Sequence, residues 1–192
     1  LYCGGSFTNP SIKEYFIRQG ICLLEAYGTT ETSSVIALAI PDDPNLSSNG
    51  VVFENLEVQI EHPDQDGVGE IIVKGKSVSK GYLYRNDSYS DFDENGAYHT
   101  GDLGILDDTG HLYLKGRKKR MILTANGKNI YVDELEELLL QIPQVKAAKV
   151  WEEHYHPAAL VVTNLSEAKI QSEIDNINLQ LPNYKQIRKI YI

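Results

Sequence analysis

The hydrophobic period of this chain changes twice along its length, and those changes bound the folds open to it. Up to about residue 48, short apolar runs alternate with one helical stretch. Residues 1–3 read as a strand end and Gly4-Gly5 as a turn. Asn9-Pro10 then opens a helix that Gly20 closes, because proline suits the first helical position and glycine the residue past the last. Ile12, Phe16 and Ile17 are spaced as that helix's buried stripe, and residues 21–24 suit a strand covered on both faces. This part reads as α/β with a parallel sheet. Residues 51–53, 57–61 and 70–74 are short strands parted by Gly, Pro and Asp, and residues 105–106 and 112–114 flank the turn Asp107-Asp108-Thr109-Gly110 as in a hairpin. They predict a small antiparallel, barrel-like sheet. Beyond residue 118 the period becomes helical through Val132, Leu135, Leu138, Leu139 and Ile142, with Asp133 and Glu136 spaced as N-cap and N3 and Pro143 after the last turn. Residues 147–151 and 159–163 read as strands, and Ser166 starts a second helix through Ile170, Ile174 and Ile177.

The expected architecture is therefore mixed α/β and α+β. Residues 1–117 form part of one domain (an α/β segment over 1–48, a β-rich subdomain over 49–117), and residues 118–192 form a small α/β domain. The basic run Arg117-Lys118-Lys119-Arg120 lies at the seam and reads as a hinge.

Composition narrows the function. With 42% hydrophobic residues the chain can bury a core, and a net charge of −9 argues against nucleic acid or an anionic membrane as the main partner. Two cysteines, Cys3 and Cys22, do not make a disulfide framework, so a reducing cytoplasm is the expected compartment. No apolar run approaches the ~20 residues that span a bilayer. The chain starts at Leu1 and its one methionine is Met121, so both ends are expected to be internal to a longer protein.

Four clusters carry chemistry. Tyr27-Gly28-Thr29-Thr30-Glu31 follows a buried strand, where open α/β sheets bind ligands. A tyrosine face can stack on a base, a hydroxyl can meet a phosphate, and a carboxylate can hold Mg²⁺ together with phosphate oxygens. An equally available reading is a capped helix N-terminus. Tyr98-His99-Thr100-Gly101-Asp102 puts an aspartate at the end of a loop, where it can accept both hydroxyls of a ribose or simply satisfy its own turn. Gly116-Arg117, followed by Gly127-Lys128-Asn129-Ile130, offers a planar guanidinium for ribose or phosphate oxygens, or a solvated basic seam. Gly69-Glu70 through Gly75 to Gly81-Tyr82 is glycine punctuation in a small sheet.

In this order and spacing the clusters resemble the AMP-forming acyl-CoA synthetases and their adenylating relatives, over essentially all 192 residues. By that resemblance Gly5 and Ser6 belong to a loop against adenine, and Tyr27 stacks on the base beside Gly28. Thr30 touches the α-phosphate and Glu31 holds Mg²⁺. Asp102 and Arg117 bind the ribose, Lys119 is the pivot of a mobile small domain, and Gly127 sits in a loop that shapes the pantetheine tunnel. The resemblance implies ATP, which becomes AMP, Mg²⁺ and coenzyme A as cofactors and a carboxylic acid as substrate, joined to AMP and then passed to a thiol. The family's phosphate loop and catalytic lysine correspond to positions before Leu1 and after Ile192, so this stretch alone is expected to be inactive. Arg120 stands where relatives often carry an acidic residue and Val132 where many carry proline. Basic Lys119, and Thr29 in place of proline, tilt the reading towards a long-chain fatty acid, which would also allow peripheral membrane association. The alternatives are an enzyme that loads a carrier-protein phosphopantetheine and a non-catalytic nucleotide-binding or interaction module. A basic patch for nucleic acid, through residues 117–120, is a third.

Overall fold

Alternation, turn residues and loop lengths account for most of what the chain builds. The computed structural model describes residues 1–5, 10–41, 43, 45, 47–82, 91–124 and 127–192. It divides into two compact units, Leu1–Lys115 and Gly116–Ile192, each considered by itself.

In the first unit, β1 (Tyr2–Gly4) runs parallel to β2 (Leu24–Tyr27), with α1 (Pro10–Arg18) as the crossover between them. The expected parallel pairing holds for β1 and β2, and the rest of this sheet is antiparallel. β3 (Ala37–Leu38) and β4 (Val51–Val52) add antiparallel. The connection from β2 to β3 is shorter than the dozen or so residues a parallel crossover needs, so the chain turns straight back. Nor is the stripe on α1 buried, since Ile12 and Ile17 are each about half exposed. Two parallel strands give a helix little apolar surface to lie on.

β5 (Leu56–Glu61), β6 (Gly69–Gly75), β7 (Tyr98–Leu106) and β8 (Leu112–Arg117) follow as a second sheet in that order. Strict alternation sends Val58, Ile60, Ile71 and Val73 to one face, where they pack with Tyr27, Ile36 and Leu112. The hairpin at 107–111 closes through hydrogen bonds from Thr109 and His111 N–H to the Asp107 carboxylate. Gly50 and Leu112 then link β4 to β8 (Leu112 N–H to Gly50 O, 2.9 Å), so both sheets curl round one core.

The second unit opens with the hairpin of β9 (Met121–Leu123) and β10 (Asn129–Tyr131). α2 (Val132–Leu140) follows, then antiparallel β11 (Val145–Glu153) and β12 (His156–Thr163), then α3 (Glu167–Gln180), which starts at Ser166 as expected. β13 (Lys189–Tyr191) adds parallel to β12. Leu135 and Leu139 from α2 and Ile170 and Ile174 from α3 are fully buried against Val150 and Val161. The N-cap of α2 is Tyr131, not Asp133. Asp133 and Glu136 lie within the helix, two positions beyond their expected places, and both carboxylates pair with Arg120. Among the described residues, no helix is long and apolar enough to cross a membrane.

Candidate functional site

Tyr27 closes β2 with its ring only 7% exposed, and its hydroxyl donates to Asp102 Oδ2 at 2.7 Å. That bond brings together the first and second clusters, 75 residues apart in sequence. A side chain at Gly28 would run into the backbone oxygen of Ser34, 1.8 Å from the position of a Cβ, so the glycine is needed for chain packing. Thr30–Thr32 form a short turn of helix held from within: Thr29 N–H donates to Thr32 Oγ1, and Thr32 Oγ1 donates back to Thr29 O. Thr32 is buried and Thr30 is exposed. The importance of Thr32 has no signal in the sequence beyond its place in a run of hydroxyl residues.

Asp102 lies inside β7, not in a loop before the hairpin. The register of β7 on β6 shifts between Ile72, opposite His99, and Glu70, opposite Leu103. Thr100, Gly101 and Asp102 thus face Ile71 alone in a bulge. Gly101 has φ of 69°, which a residue with a side chain adopts only under strain. Thr100 Oγ1 donates to Ile71 O and accepts the N–H of Asp102 at 3.0 Å, while Glu70 Oε1 accepts the N–H of Gly101 at 3.1 Å. Asp102 is thereby fixed in the buried interior of the bulge.

Glu31 is half-buried, and its Oε1 accepts the Tyr82 hydroxyl at 2.8 Å. Burial alone would raise its pKa. The backbone N–H of Glu31 and hydrogen bonds from Tyr82, Thr29 and Tyr98 outweigh that, and the net shift is downward, so Glu31 is ionised near neutrality. The Tyr98 hydroxyl is pushed up to about 12, first by burial and then by the charge of Glu31. Phe92 packs between the rings, 5.6 Å from Tyr82 and 5.1 Å from Tyr98. Tyr82 also reaches Asp91 Oδ2 at 3.3 Å. In sequence Tyr82 reads as part of a glycine-punctuated sheet and nothing marks Asp91 or Phe92, because their meeting at Tyr82 depends on tertiary packing. One ionised, half-buried carboxylate with hydroxyl neighbours fits a Mg²⁺ that keeps waters and phosphate oxygens as its other ligands.

The remaining candidates are spread more widely. Gly5 is exposed with φ of 86°. Ser6 lies outside the described residues. In the second unit Arg117 ends β8 with its side chain exposed and its N–H donated to Asp133 Oδ2 at 3.3 Å. Lys119 is exposed in the turn Lys118–Arg120. Arg120 pairs with Asp133 and lies 2.6 Å from Glu136 Oε1. Gly127, with φ of 72°, shapes the turn between β9 and β10, where its N–H bonds to Thr124 O.

The chain is similar to known proteins in sequence and fold. Residues 1–83 match the family described as AMP-binding enzyme. A long-chain-fatty-acid–CoA ligase of Drosophila melanogaster is 40% identical over 72% of this chain and 20% of its own length. A 2-succinylbenzoate–CoA ligase of Oceanobacillus iheyensis is 33% identical over 98% of this chain and 41% of its own. The solved O-succinylbenzoate coenzyme A synthetase of Bacillus subtilis, in complex with ATP and magnesium ion, superposes with a TM-score of 0.83 at 32% identity, over 99% of this chain and 42% of that one. The fold is that of the C-terminal portion of the adenylate-forming enzymes, and the chain belongs to the AMP-binding enzyme family. It spans well under half the length of these relatives.

Proposed function

We propose that this chain is part of an AMP-forming acid–thiol ligase that joins a long-chain fatty acid to AMP and passes it to coenzyme A. The observation that supports the reading is the hydrogen bond from Tyr27 to Asp102, which links the strand leading into the Glu31 turn to the bulge bearing Asp102. In this reading Asp102 and Arg117 accept and donate hydrogen bonds at the ribose. Tyr27 lies beside adenine with Gly5, Ser6 and Gly28 close by, Thr30 meets the α-phosphate, and Glu31 holds Mg²⁺. The metal would neutralise charge on the phosphates. Lys119 is the pivot of the second unit, and Gly127 lies along the path of the pantetheine arm. A fatty acyl substrate is favoured by the 40% identity to a long-chain ligase. The 2-succinylbenzoate ligases at 33–38% keep an aromatic acid as the competing substrate.

The test is ATP–pyrophosphate exchange by the full-length enzyme with palmitate or 2-succinylbenzoate as the acid. Exchange driven by palmitate is expected; exchange driven by succinylbenzoate alone would replace the substrate assignment. In the same enzyme Lys119→Pro stiffens the backbone at the pivot. It should reduce thioester formation at least about tenfold more than adenylation, as expected of a gating step. Equal loss of both half-reactions would remove Lys119 from that role.

A further inference from the structure

The face of the second sheet turned away from Asp102 carries a donor set that neither the comparisons nor the nucleotide chemistry uses. Glu61 on β5 lies directly opposite Glu70 on β6, and His99 on β7 lies opposite Ile72 on that same face. Two carboxylates paired across strands repel each other, an arrangement that costs stability unless positive charge sits between them. Glu70 is 7% exposed. One donor atom from each of Glu61, Glu70 and His99 lies within 4.8 Å of the other two, with His99 Nδ1 3.9 Å from Glu61 Oε2. His62 Nε2 stands 4.0 Å from that same oxygen. A cavity of about 440 Å³ opens over Glu61, His62 and His99, giving an ion an entry path and room for a water.

We infer that Glu61, Glu70 and His99 form a divalent-cation site, with His62 or water as fourth ligand. One imidazole nitrogen and two carboxylate oxygens suit a borderline ion such as Zn²⁺, with donors about 2.0–2.2 Å from the metal. Donors in such a tetrahedron stand ~3.4 Å apart, so rotation of the partly exposed Glu61 and His99 side chains closes the set. Glu70 also reaches the bulge, where its Oε1 accepts the N–H of Gly101. A cation on Glu70 would therefore brace the Thr100-Gly101-Asp102 bulge from behind. The site stands on its own donors and does not depend on the nucleotide reading.

The experiment is a titration of the purified, metal-free chain with ZnCl₂ against a chromophoric chelator, alongside its thermal melt. One Zn²⁺ per chain is expected, with a melting temperature that rises with zinc concentration. His99→Ala and Glu61→Gln should each weaken binding at least about tenfold, as loss of a ligand does. Both side chains are partly exposed, and circular dichroism checks that the variants fold. His156→Ala, at an exposed histidine on β12, should bind as the parent does. Absence of saturable binding, binding unchanged in Glu61→Gln, or loss of binding in His156→Ala would each overturn the site. None of these outcomes would touch the assignment of Asp102 or Glu31.

Discussion

In the proposed function Asp102 and Arg117 share one duty, contact with a ribose, and the chain holds each of them differently. Asp102 is buried in a bulge, with its N–H on Thr100 and its carboxylate on Tyr27. Arg117 ends a strand with its side chain exposed, and Asp133 holds its backbone. A group fixed before the ligand arrives loses little freedom on binding, whereas a contact from a solvent-exposed arginine is screened by water and salt. The aspartate should therefore supply most of the affinity and the arginine a smaller, salt-sensitive share.

Breaking that comparison starts with the largest effect. In the full-length enzyme Asp102→Ala removes two charged hydrogen bonds of roughly 1.5–3 kcal/mol each. ATP use, as kcat/KM in the exchange assay, should fall about 10²–10⁴-fold, while Arg117→Ala should cost about 1 kcal/mol and less at high salt. Equal losses would refute the contrast. Next in size is Leu135→Ala, which empties part of the core under α2, the helix that carries Asp133. It should destabilise the second unit by about 2–5 kcal/mol. Trp151 is the chain's single tryptophan and lies in that unit, so its fluorescence in urea follows this unfolding. A midpoint unchanged from the parent would mean that α2 is not anchored there.

Smaller effects sharpen the picture. Arg120→Ala leaves Asp133 and Glu136 without their shared partner. The ions are about one-third exposed or less, so a loss of about 1 kcal/mol that shrinks with added salt is expected in the same urea assay. The smallest concerns Glu31. Its pKa is lowered in the folded chain, so its ionised form stabilises the fold above the usual glutamate range. That contribution is lost as pH falls through the lowered value. Tyr82→Phe removes one of the hydrogen bonds that cause the lowering. Stability should then fall less steeply between about pH 5 and 3 than in the parent. An unchanged slope would take Tyr82 out of the network.

What could be read in advance follows the range of the interactions. The α2 and α3 periods, the turn at 107–111 and the helix start at Ser166 rest on neighbours in sequence, and they stand where expected. Thr-Gly-Asp reads as turn residues, which points to Asp102 at the end of a loop. Its bulge exists only against β6, which no local pattern announces. Asp133 and Glu136 have capping-box spacing, yet Arg120, 13 residues before Asp133, claims both. The contacts of Tyr82 with Glu31, 51 residues away, are equally invisible in sequence.

The bulge in β7 also constrains what lengths of chain this region can accept. Its register shift amounts to two positions, an even number, so the residues on either side keep the same alternation. Parity therefore survives the irregularity, with His99 and Leu103 still facing one way. Deleting a single residue from 100–102 would flip every later side chain of β7 and turn the aliphatic residues that end it to the wrong face. Point substitutions here threaten ligand binding. One-residue insertions and deletions threaten the sheet itself.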